Sequence, residues 1–135
     1  MRIVGGRWAG VDLVSPGGRV RPTKEEIRAD LFDTLEPELG RTRILDLFAG
    51  TGALGLEALS RGATSVDFVE NGGPALHALK ANIAKVKAKN WTRLFKKDVF
   101  DFLGGLKASR RDNLPYDLVL ADPPYTSKGG ERLVR

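Results

Sequence analysis

The stretch Ile44 to Gly62, ILDLFAGTGALGLEALSRG, decides the fold. Ile44-Leu45-Asp46-Leu47 is a short apolar run of the kind that makes a buried parallel strand. Phe48-Ala49-Gly50-Thr51-Gly52 follows, and its two glycines let the backbone turn sharply and approach a ligand without interference from a Cβ. From Ala53 the spacing is helical. Leu54, Ala58 and Leu59 share a face, and Arg61-Gly62 ends the last turn with a cation and a glycine stop. Strand, glycine turn and helix in this order aim the helix's free N–H groups at whatever sits above the turn.

Gly50-Thr51-Gly52-Ala53-Leu54-Gly55 is a literal G-x-G-x-x-G, and Glu70 lies about twenty residues on, which matches a dinucleotide fingerprint. Asp46 argues against NAD. A carboxylate at the end of the strand, just before the turn, repels a pyrophosphate but suits a ligand carrying a cationic amine or sulfonium, such as S-adenosylmethionine.

Working outward, Val66 to Val69 reads as a second buried strand ending in Glu70. In a doubly wound sheet an acid there reaches the ribose of a nucleotide bound over the first turn, since both ribose hydroxyls can donate to one carboxylate. Pro74 opens a helix with Leu76, Leu79, Ile83 and Val86 on one stripe. Lys80, Lys85, Lys87, Lys89 and His77 read as surface. Arg93-Leu94-Phe95 is a third strand followed by Asp98, so that three acids are expected along one edge of the sheet. Phe100 to Leu106 is a short helix, and Tyr116 to Ala121 a fourth strand.

That fourth strand runs into Asp122-Pro123-Pro124-Tyr125, the most specific signal in the chain. An exocyclic amine on a base is a poor nucleophile because its lone pair is delocalised into the ring. The Asp122 carboxylate and the Pro123 carbonyl can accept its two hydrogens and hold the nitrogen with its lone pair toward a methyl donor. The prolines stiffen the loop. Tyr125 offers a flat face on which an unpaired or flipped base can stack.

Upstream, residues 1–22 carry Ile3, Val11 and Leu13 between glycine-rich turns and read as a β-hairpin. Arg2, Arg7, Arg19 and Arg21 stud it around Trp8, a reasonable RNA-contact arm; the alternative is a packed Trp8 with solvated arginines. Thr23-Lys24-Glu25-Glu26 reads as a capping box with Thr23 the N-cap. Ile27, Leu31 and Leu35 are then expected to face the core of a helix that ends near Pro37 and Gly40. Arg21-Pro22-Thr23 is a stiff entry that could hold Arg21 toward a ligand.

The 22 Lys and Arg against 17 Asp and Glu give a net charge of +5, which makes a polyanionic partner plausible. Without cysteine and with one histidine, the chain has neither disulfides nor a zinc-ligand cluster, and no metal is expected. With no signal-peptide core and no apolar run of membrane-spanning length, the expected location is cytoplasmic.

Asp46-Leu47-Phe48-Ala49-Gly50-Thr51-Gly52-Ala53-Leu54-Gly55-Leu56-Glu57-Ala58, the Arg21-Pro22-Thr23 entry with Arg28 and Leu31-Phe32, and Asp122 to Tyr125 together resemble the RsmD family. These are bacterial 16S rRNA guanine-N2 methyltransferases of the class I, S-adenosylmethionine-dependent, Rossmann-like fold. The resemblance runs from Met1 to about Tyr125. It implies an α/β doubly wound sheet of strand order 3-2-1-4 behind the hairpin, with residues 23–135 the methyltransferase domain. The fold has more strands than the four read here, so that domain is expected to be truncated after its fourth strand. The resemblance further implies that Asp46, Phe48, Ala49, Gly50, Thr51 and Gly52 hold the methionine part of the cofactor. Glu70 and Asn71 would take the ribose side, Asp98 and Val99 the adenine, and Asp122, Pro123 and Tyr125 the target amine. Arg7, Arg21 and Thr23 would contact the small-subunit ribosomal RNA, free or within an assembling ribonucleoprotein particle. The competing readings are an adenine-N6 methyltransferase and a non-catalytic cofactor- or RNA-binding fragment.

Overall fold

Strands whose side chains alternate between two apolar faces need cover on both sides, and this chain supplies it with helices. The computed structural model describes residues 1–16, 22–109 and 115–123. The elements run α1 (Pro22–Leu39), β1 (Arg43–Leu47), α2 (Ala53–Ser60), β2 (Ser65–Val69), α3 (Gly73–Lys85), β3 (Thr92–Phe95), α4 (Val99–Ser109) and β4 (Leu118–Ala121). All strand pairings are parallel and the order is β3-β2-β1-β4, as the resemblance implied. Ile44, Val66, Phe68 and Leu120 join the larger core with Phe32, Leu56, Leu59 and Leu79. Leu45, Leu47 and Val69 point the other way, onto Val99 and Phe102 at the start of α4. This is the two-sided burial that the apolar runs in β1 and β2 require.

α1 buries a different stripe from the one its leucine spacing suggests. Ile27 is 68% exposed and Leu31 41% exposed, whereas Arg28, Phe32 and Leu39 are buried with Leu35 packed beside them. The buried set is spaced i, i+4, i+7, i+11, which holds one line along a 3.6-residue helix; strict four-residue steps drift around it. The helix begins at Pro22, so Thr23 lies in its first turn and does not precede it as an N-cap.

The amino-terminal hairpin is reduced to one antiparallel bridge, Arg2 with Asp12, around a 3-10 turn at Gly6–Trp8. Ile3 N–H donates to the Val11 carbonyl, Gly10 N–H to Ile3, and Leu13 N–H to Met1. This arm has no core of its own: Ile3 and Leu13 sit in the larger core of the sheet.

What fixes the arm is a buried carboxylate. Glu57 on α2 is fully buried and accepts four N–H groups: Val4 and Gly5 of the arm at 2.9 Å each, Arg28 Nε of α1 at 3.2 Å and Arg61 Nε at 2.8 Å. Arg61 also reaches Asp33 at 2.6 Å, and Arg28 donates to the Arg2 carbonyl. Close approach is needed here as well, since a Cβ on Gly6, at φ +78°, would stand 1.9 Å from the Ser60 carbonyl oxygen. Glu57→Ala would leave the buried Arg28 guanidinium without its carboxylate and Arg61 with Asp33 and Glu36 alone, and breaking a buried pair costs about 3–5 kcal/mol. We expect it to lower the urea midpoint accordingly, with Glu57→Gln losing less. A Glu57→Ala midpoint equal to wild type would show that the cluster does not hold the arm and α1 to α2.

Candidate active site

The parallel register sets three positions level at the carboxyl edge of the sheet. Leu47 pairs with Val69 on one side and Ala121 on the other, so the next residues, Phe48, Glu70 and Asp122, stand side by side. Strands lie about 4.8 Å apart, so the two acids flank the Phe48–Gly52 turn at roughly one strand spacing each.

The turn is tightly determined. Phe48 has φ 54°, Gly50 φ 58° and Gly52 φ 87°; a left-handed Phe is strained and such strain concentrates at functional sites. A Cβ on Gly52 would meet Leu79 Cδ1 at 2.4 Å, so α3 supports the turn from below. Above Gly50 the space is open, the nearest atom to an added Cβ being the Phe48 carbonyl oxygen at 3.9 Å. Gly52 caps α2, and the helix's first N–H groups therefore lie beside this opening.

Each acid takes a different place. Asp46 lies one step inside β1, not at its end, and is 1% exposed, with Oδ2 accepting the Gly55 N–H at 3.0 Å. Burial pushes its carboxyl well above the ordinary range; the Gly55 hydrogen bond opposes this, and the Asp122 and Glu70 charges add to the rise. Glu70 caps the turn directly: Oε1 accepts the Gly50 N–H at 2.7 Å, and Oε2 the N–H groups of Asn71 at 3.0 Å and Gly72 at 2.7 Å. Asp98 stands beyond β3 and accepts the Phe100 and Asp101 N–H groups at the start of α4. Val99 is buried beneath it, and the Phe48 and Phe100 rings meet edge to face at 6.3 Å. Asp122 is exposed, with Pro123 partly covered beside it. Pro124 and Tyr125 lie outside the described residues, as does Arg21, and so do the side chains of Pro22 and Thr23.

The geometry suits a ligand with a cationic centre and a nucleoside. A glycine turn open to space, a helix start, the buried Asp46 carboxyl and the negative groups at Glu70 and Asp122 offer donors for a carboxylate and a field for a positive charge. A pyrophosphate would face those three acids. Among the described residues no group of three His, Cys, Asp or Glu side chains could hold a metal, and no helix is long and apolar enough to cross a membrane.

Arg7 stands elsewhere. Trp8 N–H donates to Ser60, the last residue of α2, and the Arg7 guanidinium lies 4.7 Å from the Trp8 ring centre and 5.0 Å from that of Trp91, just before β3. This is the amino-terminal end of the strands, opposite the Phe48–Gly52 turn.

Two positions went unread in the sequence. Glu57 is an acid inside an otherwise apolar helix with Arg61 at i+4, a pattern that signals a buried ion pair. Asn82 on α3 is fully buried and hydrogen-bonds both the turn and the arm; a polar residue between Leu79 and Ile83 on the core stripe is its one trace in the sequence.

A twisted parallel sheet in this order, with a glycine turn after its central strand, is the fold of class I methyltransferases. A solved Escherichia coli structure superposes with TM-score 0.78 at 34% identity over 96% of this chain and 66% of that one. A SAM-dependent methyltransferase from Agrobacterium tumefaciens does so with TM-score 0.63 at 25% identity over 78% of this chain and 33% of that one. The family model described as "Conserved hypothetical protein 95" matches residues 1–135. The chain belongs to that family, the RsmD family that the motifs resembled. The ribosomal RNA small subunit methyltransferase D of Escherichia coli K12 is 38% identical over 93% of this chain, which spans 60% of that relative's length.

The raised Asp46 carboxyl carries a stability consequence. The folded state binds this proton more tightly than the unfolded chain, so stability is highest below the ordinary carboxylate range and is lost as pH rises toward the folded value. Asp46→Asn, which keeps an acceptor for Gly55, is therefore expected to resist urea better than wild type at pH 7.5. The gap should close on acidification. A variant less stable than wild type at pH 7.5 would contradict this sign.

Proposed function

We propose that the chain carries the cofactor and amine sites of an S-adenosylmethionine-dependent enzyme that methylates the exocyclic N2 amine of a guanine in 16S ribosomal RNA. The observation that supports it most is the level row Glu70–Phe48–Asp122 around an open glycine turn, with Asp122-Pro123 directly at the end of β4. Its cytoplasmic location follows from that substrate.

The cofactor would supply a methyl group on a positively charged sulfur. The residues of the turn, Phe48, Ala49, Gly50, Thr51 and Gly52, would bind its amino-acid part through backbone groups, with the buried Asp46 carboxyl bracing the turn from below through Gly55. Glu70 and Asn71 would meet the ribose, and Asp98 and Val99 the adenine. The Asp122 carboxylate and the Pro123 carbonyl accept the two hydrogens of the guanine amine, which orients the lone pair toward the methyl group. Asp122 is exposed, so the proton lost after transfer can leave to water, and no strong base is required. Tyr125 would stack on the flipped base. Arg21 and Thr23 would also contact the RNA that reaches the site. Arg7 would meet it some 15–20 Å away, since five-residue strands rise about 3.3 Å per residue, a reach that fits a folded RNA or a ribonucleoprotein particle better than a short strand.

The test supplies methyl-labelled S-adenosylmethionine and small-subunit particles lacking the modification, then identifies the labelled nucleoside. N2-methylguanosine from wild type and at least a hundredfold loss in Asp122→Ala, with affinity for S-adenosylhomocysteine nearly unchanged, is the expected result. Labelled N6-methyladenosine would favour the adenine reading. Full activity in Asp122→Ala would move the amine site elsewhere, and preference for NADH over S-adenosylhomocysteine would overturn the cofactor assignment.

A further inference from the structure

We infer that Asn82 is a positioning residue that ties the amino-terminal arm to the cofactor turn, so that the arm helps to set affinity for the cofactor without touching it. The inference rests on the cofactor reading above.

Asn82 has no exposure to solvent, yet its amide is well satisfied. Nδ2 donates to the Thr51 carbonyl at 2.9 Å and to the Val14 carbonyl at 2.9 Å, while Oδ1 accepts the Val14 N–H at 2.6 Å. The surroundings fix the amide's orientation. Two carbonyls need the NH2 side and one N–H needs the oxygen, so the reversed amide would lose all three bonds. One side chain therefore joins residues separated in sequence by 31 positions on one side and 68 on the other.

Neither partner belongs to a helix or a strand ladder. Thr51 lies between two left-handed glycines, outside any helix or strand, so nothing regular fixes its carbonyl. Val14 is 47% exposed and belongs to an arm joined to the sheet by no strand ladder. The next turn of α3 repeats the tie to the arm alone, where Lys85 Nζ donates to the Asp12 carbonyl at 2.6 Å. Asn82 thus differs from Glu57, Ser60 and Lys85 because it also grips the turn backbone, where the arm's direct contact is the long one from the Thr51 hydroxyl to Met1 Sδ at 3.8 Å. A buried amide oxygen that loses its donor is left unsatisfied and the side chain turns to find another, so loosening Val14 is felt at Thr51 and through it at the backbone that faces the ligand.

The test measures S-adenosylhomocysteine affinity calorimetrically at a temperature where every variant is folded by circular dichroism. It also follows hydrogen exchange of the Leu13 and Val14 amides with and without ligand. Asn82→Ala is expected to weaken binding tenfold or more. Val14→Pro, which replaces the N–H given to Oδ1 by the ring Cδ, is expected to weaken it three- to tenfold although residue 14 is not in the turn. Lys85→Ala, which loosens the arm without reaching Thr51, should stay within twofold of wild type. Ligand should slow exchange at Leu13 and Val14 in wild type and leave it unchanged in Asn82→Ala. Those last readouts would not move if Asn82 merely stabilised the fold. Affinity within twofold of wild type in folded Asn82→Ala, or in folded Val14→Pro should the first variant not fold, overturns the inference. Absence of binding by wild type would instead overturn the cofactor reading, and this inference with it.

Discussion

Between Leu47 and Ala53 the backbone must pass from a buried strand into a helix while leaving its upper surface free. Every other feature of the site is built around that constraint. The left-handed conformations at Phe48, Gly50 and Gly52 achieve the reversal, and the support comes from three directions. Leu79 stands where a Cβ on Gly52 would be, Glu70 holds the Gly50 N–H, and Asn82 holds the Thr51 carbonyl. β1 supplies the fourth fixed point, through Asp46 on Gly55. A turn held at each of these positions is preorganised, and preorganisation reduces the ordering cost of binding.

Two buried carboxylates, separated by eleven positions on either side of that turn, serve opposite ends. Glu57 is surrounded by donors from three segments and neutralised by two arginines; it joins the arm, α1 and α2. Asp46 has one backbone donor and two neighbouring acids, and burial holds its proton tightly. The first arrangement stabilises the fold, since each lone pair finds a partner. The second works against stability near neutrality, a pattern met where a binding site needs charge that the fold alone would not keep.

The central unit was legible because its signals are local. The apolar run 44–47, the glycine pair 50 and 52 and the change of period at Ala53 each act within a few residues. The strand ends at Glu70 and Asp122 followed from the same logic. What escaped reading depends on long-range pairing. The buried face of α1 carries Arg28 and Phe32 in place of Ile27 and Leu31; Phe32, Leu35 and Leu39 keep the helical period, but the burial of Arg28 depends on Glu57, which lies outside α1. Asn82 gains its meaning from Val14 and Thr51 together. The place of Arg7 at the far end of the sheet depends on contacts of its arm with Ser60 and Trp91, which no signal within residues 1–22 records. Asp46 was placed at the strand end and lies one residue inside it, enough to bury it.

The central claim is that the cofactor sits over the carboxyl ends of β1, β2 and β3. Amide chemical shifts recorded during a titration with S-adenosylhomocysteine test it most directly. The account predicts the largest changes at Gly50, Thr51, Gly52, Glu70, Asn71 and Val99, with the amides of Arg7, Trp8 and Trp91 at the other end of the sheet almost unmoved. Changes centred on that opposite end, with Gly50 and Glu70 unaffected, would contradict it.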